Sequence, residues 1–277
     1  MENATMFNTL EEKIQERTKE LSDKSLLLQS QNTEIKYAHQ ELKVLNATKD
    51  KFISIIGHDL RGPVGGVNNL LGLLLTEIEE GNYKNLSTYA KQANKTLNET
   101  YKLLNDLLLW AKSQRDDIKY KPSNQSLKPI VATNLDLLDH LIHLKNVLVI
   151  NNIPEDFNAF FDSHQIDIVI RNLIDNALKY VNSKGQITIE SRISNNKAVI
   201  SVVDTGIGIP SETAKRLFYL SEKETSRPGT EGEKGSGLGL VLCKEFVEKN
   251  QGEIWVESTQ EKGTAFHFSL PLEAPNS

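Results

Sequence analysis

The sequence predicts an α+β protein: helices alone in the N-terminal part, then a mixed sheet covered by helices on one face. Three observations lead to this fold class. Residues 8–50 contain neither Gly nor Pro, which is typical of one long helix. Apolar residues then recur at three- and four-residue steps as far as residue 114, which indicates further helices. From Leu127 onward, short β-rich segments alternate with helical ones.

Composition excludes several classes of protein. The 277 residues are 38% hydrophobic and 25% charged, which suits one large or two medium domains with real cores. The net charge of −5 and the lack of a basic block argue against nucleic acid as the main partner. No apolar run approaches the roughly 18–20 residues that span a bilayer, and no signal peptide opens the chain, so we expect no membrane segment. We therefore expect a cytoplasmic protein, or the cytoplasmic part of a longer sensor.

The first helix carries a heptad repeat, and we assign residues 1–47 to a coiled-coil signalling helix. Its seam residues fall at strict seven-residue intervals: Ile14, Leu21, Leu28, Ile35 and Leu42. A single solvated helix is the alternative, but a repeat sustained this long favours a dimeric coiled coil. No break separates this helix from the segment that follows, so a twist in the coil would pass directly to it.

That following segment, residues 51–64, contains a histidine placed for chemistry. At about 100° per residue, His58 lies opposite the apolar stripe of its helix and faces solvent. Asp59 adds a carboxylate beside the imidazole, and Arg61 adds a cation. Helix-breaking residues follow and predict a kink and a flat surface for a partner: Gly62, Pro63, Gly65 and Gly66. From this stretch alone, an ordinary surface histidine remains the alternative.

The His58 helix is expected to run to about Glu80, turn at Gly81-Asn82, and continue as a second helix over Leu86–Gln114. Two antiparallel helices cannot bury both of their apolar stripes, so a homodimer forming a four-helix bundle is predicted over residues 48–115. Residues 116–124 are interpreted as a linker. An α/β sandwich domain is then expected over 125–273, followed by a tail, 274–277.

Within this second domain, one helix presents a polar face. Asn172, Asn176 and Lys179 lie at i, i+4 and i+7 of a helix predicted over residues 163–181 and therefore share a side. Hard oxygen donors beside an ammonium group suit a magnesium–phosphate complex. An ordinary solvated face is the alternative for this helix by itself.

Two glycine-rich segments follow. The segment DTGIGIP comes at a strand end, where Asp204 could accept a hydrogen bond from an exocyclic amine and Gly206 and Gly208 let the backbone approach a planar ring. The segment GSGLGL opens a helix at Gly235, and backbone N–H groups there suit phosphate. Between them, residues 211–234 are polar and basic, as in a mobile lid.

Together these motifs resemble the sensor histidine kinases of two-component systems over about residues 45–272. HDLRGP resembles their phosphoacceptor box, RNLIDNALKYV the N box, DTGIGIP the first glycine box, RLFYL the F box and GEKGSGLGL the second glycine box. The resemblance implies a phosphotransfer hairpin joined to a Bergerat-type ATP-binding domain, the fold shared with gyrase and chaperone ATPases. One departure is Gly62, where many relatives have Thr or Asn, which predicts weak or absent phosphatase activity.

The resemblance also assigns roles. His58 would be phosphorylated with Asp59 as its acid/base partner, and Asn176 would be the main magnesium ligand with Asn172 nearby. The nucleotide-binding set would further include Lys179, Tyr180, Asp204, Gly206, Gly208, Phe218, Gly235, Gly237, Leu238 and Gly239. The implied function is a homodimeric kinase that uses ATP and Mg and passes a phosphoryl group from His58 to an aspartate of a response regulator. Alternatives are another ATPase or serine kinase on the same fold, or a nucleotide-binding scaffold.

Overall fold

A computed structural model describes residues 2–114, 119–219, 229–230 and 237–274. The chain divides into two compact units, residues 1–65 and 66–277. The first unit consists of helix α1 (Glu2–Asp59) and the start of helix α2 (Arg61–Glu79). The predicted long helix is therefore confirmed, including its continuation into the His58 segment. Among the described residues, no helix is long and apolar enough to cross a membrane.

Helix α1 exposes the side chains of its predicted seam. Ile14, Leu21, Leu28, Ile35 and Leu42 are 57–68% exposed. Helix α1 gives way to α2 at Leu60, although the Leu60 carbonyl oxygen still accepts a hydrogen bond from the Val64 N–H at 3.2 Å. Pro63 has no N–H to donate to the carbonyl of Asp59, which accounts for an interruption at this point.

The second unit begins with two helices joined by a tight turn, as predicted. Gly81 turns the chain with a φ of +70°, and α3 then spans Leu86–Ser113. Helix α2 buries none of its side chains. The predicted apolar stripe of α3, here called its seam, buries Ala93 but exposes four larger residues: Leu97, Tyr101, Leu104 and Leu108. A different stripe of α3 is buried instead: Leu103, Leu107 and Trp110.

The rest of the second unit contains a five-stranded sheet in the order β2-β4-β5-β7-β6. Its strands are β2 (Leu148–Asn151), β4 (Gln186–Ser194), β5 (Lys197–Asp204), β6 (Ile254–Ser258) and β7 (Thr264–Pro271). Strand β2 pairs parallel to β4 and the other pairs are antiparallel, so the predicted mixed sheet is confirmed. Helices α4 (Lys128–Lys145), α5 (Ser163–Tyr180) and α7 (Gly239–Lys249) pack on it, and a short α6 spans Ser211–Ala214.

The predicted linker over residues 116–124 is wrong in its last part. Strand β1 (Pro122–Ser126) pairs antiparallel with β3 (Asn158–Asp162) in a separate two-stranded sheet. The sequence PSNQS lacks the apolar alternation of a strand. Pro122 is tolerated because it is the first residue of an edge strand in this two-stranded sheet. Residues 115–118 lie outside the described part of the chain.

Helix α7 places the single cysteine of the chain in the core. Cys243 is fully buried, and its Sγ lies 3.9 Å from the carbonyl oxygen of Val169 in α5. Burial raises the pKa of this thiol far above its ordinary value.

Candidate functional site

A cavity opens in the second unit where α3, α5, α7 and the ends of β5 and β7 meet. Most of the predicted nucleotide-binding residues line it. The lining residues are Glu99, Lys102, Leu103, Asp106, Asn172, Asp175, Asn176, Lys179, Tyr180, Asp204, Ile207, Gly208, Ile209, Pro210, Thr213, Leu217, Gly237, Gly239, Leu240, Thr264 and Phe266.

Helix α5 forms the polar wall of this cavity. The helix is fixed at its start by Asp162, whose carboxylate accepts a hydrogen bond from the backbone N–H of Gln165 at 3.0 Å. Its apolar side is buried against the sheet, including Leu173 and Ile174. The opposite side therefore presents its amides, Lys179 and Tyr180 to the cavity.

Asn172 is held by two close neighbours. Its Nδ2 donates to the carbonyl oxygen of Ile168 at 2.9 Å, which orients the side chain along the helix. A Cβ at Gly239, in the first turn of α7, would stand 2.6 Å from Asn172 Oδ1. A side chain at position 239 would therefore require the Asn172 amide to move.

Lys179 and Tyr180 form the end of the polar wall. The Lys179 Nζ lies 4.9 Å from the centroid of the Tyr180 ring, within range of a cation–π interaction. The Lys179 carbonyl oxygen accepts from the backbone N–H of Thr230 at 3.0 Å, which ties residues 229–230 to the end of α5. A cation and an aromatic face thus lie side by side at the cavity.

Asp204 lies at the end of β5, where its side chain is almost fully buried. Its Oδ1 accepts from the backbone N–H of Gly206 at 2.8 Å. Burial raises the pKa of this carboxyl to about 6, although hydrogen bonds from the backbones of Gly206 and Thr264 act in the opposite direction. The cavity therefore contains an acceptor whose charge changes near neutral pH.

The loop after Asp204 runs against neighbouring backbone. A Cβ at Gly206 would stand 2.3 Å from the Tyr180 carbonyl oxygen, and one at Gly208 would stand 2.1 Å from the Thr259 carbonyl oxygen. Gly208 also has a φ of +67°. Of the two glycines, Gly208 lines the cavity and Gly206 packs behind its wall.

The second glycine segment begins helix α7 at the cavity. Gly237, Gly239 and Leu240 line it, while Leu238 is buried behind them. The first N–H groups of a helix have no partner within the helix and favour an anion. Gly235 lies outside the described residues, as do residues 220–228 and 231–236 of the predicted lid.

Two further predictions concern residues away from the cavity lining. The Phe218 ring packs edge-on against Phe266, with 6.3 Å between ring centroids, so it supports a lining residue and does not line the cavity itself. The side chains of His58 and Asp59 lie outside the described part of the chain.

Comparisons with known proteins identify the family. Residues 161–274 match the family described as "Histidine kinase-, DNA gyrase B-, and HSP90-like ATPase", so this region is an ATP-binding domain. The adaptive-response sensory kinase SasA of Crocosphaera subtropica is 31% identical over 81% of this chain and 59% of its own length. The sensor histidine kinase WalK of Bacillus subtilis is 30% identical over 86% of this chain and 39% of its own. Over most of its length the chain is therefore similar to sensor histidine kinases.

A solved structure supports the fold of this chain. The histidine kinase ThkA, in complex with response regulator protein TrrA, aligns with a TM-score of 0.58 and 21% identity, over 80% of this chain and 63% of its own. The present chain spans about three fifths of the length of the first SasA relative.

Sequence reasoning missed several residues that the fold brings to the cavity. Thr264 and Phe266 arrive there only because β7 pairs with β5, and no local motif marks them. The α3 residues Glu99, Lys102 and Asp106 were not predicted either. Their spacing along one helix face was visible in the sequence, but nothing indicated which neighbour that face meets.

Proposed function

We propose that this protein is an ATP-dependent histidine kinase that autophosphorylates His58 and passes the phosphoryl group to an aspartate of a response regulator. The observation that carries the proposal is the convergence of Asn172, Asn176, Lys179 and Asp204 on one cavity. The family match and the named histidine kinase relatives support the ATP-dependent half of this activity. The regulator-bound ThkA structure supports the choice of partner.

The charges of the cavity suggest how ATP would be oriented. The buried Asp204 carboxylate would accept a hydrogen bond from the exocyclic amine of adenine, which is the only exocyclic N–H donor of the base. The backbone N–H groups at the start of α7, from Gly237 to Leu240, would bind the phosphates, and so would the Lys179 ammonium group. Tyr180 supplies an aromatic surface beside them.

Asn176, with Asn172 nearby, would hold a magnesium ion. The donor set fits this ion, because amide oxygens are hard ligands and magnesium keeps several waters and phosphate oxygens in its shell. The close approach of Gly239 to Asn172 Oδ1 keeps this amide oxygen beside the start of α7. Bound there, magnesium would offset the negative charge of the phosphates.

The chemical step would be an in-line displacement at phosphorus. The neutral His58 Nε2 would form a bond to the γ-phosphorus while the bond from that phosphorus to the bridging oxygen of ADP breaks. Asp59 would hold the imidazole tautomer that carries its proton on Nδ1 and accept that proton as the ring becomes cationic. An aspartate oxygen of the regulator would then form a bond to phosphorus as the bond from His58 Nε2 breaks, and Asp59 would return the proton to Nδ1, so that His58 is neutral again.

The exposed apolar stripes support a homodimer. The α1 seam and the seam residues of α3, Leu97, Tyr101, Leu104 and Leu108, are uncovered in the single chain. We propose that a second copy covers them in a coiled coil over residues 1–47 and a four-helix bundle over 48–115. The ATP-binding domain would then occupy the rest of the chain from β1 onward, and the protein would work in the cytoplasm, where ATP is available.

The test is phosphorylation with γ-labelled ATP and magnesium. We expect acid-labile, alkali-stable label on the native protein, and none on His58→Gln or Asn176→Asp. His164→Gln is a matched control, because His164 is exposed at the far end of α5 from Lys179. Label that survives acid, or that persists in His58→Gln, would contradict the proposal.

A further inference from the structure

The carboxyl end of α5 is held by donors from distant parts of the chain. The last carbonyl groups of a helix have no partner within the helix, so their partners must come from elsewhere. The Leu178 carbonyl oxygen accepts from the Lys145 Nζ at 2.9 Å. The Tyr180 carbonyl oxygen accepts from the Ile207 N–H at 3.2 Å. Tertiary contacts therefore fix the position at which α5 ends.

Thr230 supplies further donors to the same end of α5. Its backbone N–H donates to the Lys179 carbonyl oxygen at 3.0 Å, and its Oγ1 donates to the Val181 carbonyl oxygen at 3.0 Å. The same Oγ1 accepts from the Lys145 Nζ at 3.0 Å. Thr230 is thus joined to α5 twice, directly by its own donors and indirectly through the lysine.

The lysine at the centre of this cluster is buried. Lys145 is the last residue of α4 and is only 6% exposed. A buried ammonium group is costly unless oxygen atoms surround it, and a cation at the end of a helix is favoured by the partial negative charge of the carbonyl groups there. The backbone of Lys145 adds a bond in the other direction, because its carbonyl oxygen accepts from the Ser183 Oγ at 3.1 Å. The adjacent ends of α4 and α5 are therefore fastened to each other.

This cluster lies directly behind one end of the nucleotide cavity. Lys179 and Tyr180 line the cavity with their side chains, while their carbonyl oxygens take part in the bonds described above. Lys145 and Thr230 are not among the lining residues. They therefore act on the cavity through the end of α5 and not by touching what binds in it.

The position of Thr230 also bears on the start of α7. Residues 231–236 join Thr230 to Gly237, a lining residue, whereas residues 220–236 join Tyr219 to it. Holding Thr230 cuts the stretch that leads to Gly237 to roughly a third, which is worth about fivefold in the equilibrium constant for placing Gly237. One cluster thus restrains two sides of the cavity.

We propose that Lys145 and Thr230 are positioning residues of the nucleotide site, which fix Lys179 and the approach to Gly237 through one shared ammonium group. The proposal rests on the proposed function, since it takes the cavity to be the nucleotide site and these two sides to bind the phosphates. The Lys179 ammonium group and the N–H groups of α7 are then held in place before the nucleotide arrives. Less ordering remains to be done on binding, and the affinity is higher.

Two substitutions at Thr230 test the hydroxyl group. Thr230→Val keeps the shape of the side chain but removes the hydrogen bonds of its Oγ1, so we expect ADP binding to weaken by about two- to fivefold. Thr230→Ser retains the hydroxyl group and should bind ADP with native affinity. Thr133→Val is the matched control, because Thr133 is an exposed threonine outside the cavity lining whose hydroxyl donates to the Pro129 carbonyl oxygen at 2.9 Å. Calorimetric titration with ADP compares the four proteins.

A double-mutant cycle tests whether the ammonium group is shared. Lys145→Met keeps an unbranched side chain of similar length, removes a donor from the Leu178 carbonyl, and should weaken ADP binding at least as much as Thr230→Val. Because the Thr230 hydroxyl has then already lost its lysine partner, adding Thr230→Val to Lys145→Met should cost less affinity than Thr230→Val costs the native protein. If Lys145→Met does not fold, the Thr230 pair decides the question by itself.

The outcomes separate this proposal from the proposed function. Native ADP affinity in Thr230→Val, or binding by Thr230→Ser as weak as that of Thr230→Val, would overturn the positioning role and leave the kinase activity standing. Equal losses from Thr230→Val with and without Lys145→Met would show that the ammonium group is not shared. A native protein that binds no ADP would overturn the proposed function as well.

Discussion

Glycines occur in two contrasting environments in this molecule. A Cβ added at Gly62, Gly65 or Gly66, just after His58 in the sequence, would meet no atom within 4 Å. A Cβ added at Gly208 or Gly263, around the cavity, would stand 2.0–2.1 Å from a backbone oxygen. The same residue type therefore answers two different needs.

The difference shows which region is complete by itself. Around the pocket, glycine is required because the neighbouring backbone of the same chain occupies the space of a side chain. Near His58 the space is empty, although glycine costs a helix roughly 1 kcal/mol relative to alanine at each position. Under the proposed function, partners outside the chain would complete this region.

The largest effect is expected from closing the tight space. Gly208→Ala should abolish nucleotide binding, because the added Cβ meets the Thr259 carbonyl and a φ of +67° costs a side chain about 1–2 kcal/mol even without a clash. Calorimetric titration with ADP measures the loss. Gly62→Ala adds the same carbon in open space and should bind ADP normally. Equal affinity of the two variants would break the comparison.

The second prediction concerns the exposed seam. Leu21→Glu combined with Leu28→Glu should convert a dimer to monomers, because burial of each leucine in a coiled coil contributes about 1.5–3 kcal/mol and both chains lose two. Sedimentation velocity gives the oligomeric state. Leu26→Glu is the control, since Leu26 is 64% exposed but lies off the seam. A dimer that persists in the double variant would show that α1 is not the interface.

A pH titration of ADP binding tests the consequence of burying the Asp204 carboxyl in the cavity. Because the folded pKa of Asp204, about 6, lies above its ordinary 3.8, this carboxyl stabilises the fold most at low pH, and that contribution is lost as the pH rises through 6. Nucleotide binding should follow the opposite course, since the ionised carboxylate is the acceptor. We expect about tenfold weaker ADP binding at pH 5 than at pH 7.

Asp204→Asn separates this effect from titration of the nucleotide itself. The variant should bind ADP more weakly than the native protein. Its affinity should also lack the part of the pH dependence that Asp204 contributes. The exposed Glu20 of α1, whose pKa is lowered by hydrogen bonds from Lys24 and Arg17, offers a contrast, because Glu20→Gln should leave the binding profile unchanged. An identical profile in native protein and Asp204→Asn would count against the adenine role.

The smallest effect is expected at the open glycine. Gly62→Thr places a hydroxyl four residues after His58, where many sensor histidine kinases have Thr or Asn, and no atom lies within 4 Å to oppose it. We expect dephosphorylation of a phosphorylated regulator to rise several-fold, with autophosphorylation retained. Gly62→Ala controls for helix stability and should not gain phosphatase activity. Strong phosphatase activity in the native protein would contradict the prediction.

Local signals explain which parts of the structure could be predicted. The apolar spacing of α3 and the glycines near α7 are patterns within short stretches of sequence, so the helices, the mixed sheet and most of the cavity lining could be predicted. Strand β1 was missed because its pairing with β3 joins residues 122–126 to residues 158–162, and its own sequence is polar. The α3 residues that line the cavity were missed for a related reason. Lys102 and its partner Asp175 are 73 residues apart, and each resembles an ordinary surface charge in the sequence.

Because Cys243 is fully buried, the rate at which its thiol is labelled measures how often the surrounding core opens. A thiol with no exposed surface and a raised pKa reacts with a maleimide or disulfide reagent only when α5 and α7 separate. The labelling rate of the native chain therefore reports the frequency at which α5 and α7 separate. Because no other cysteine is present, a second thiol introduced on any exposed surface could carry a fluorophore or spin label without altering a native residue in the core.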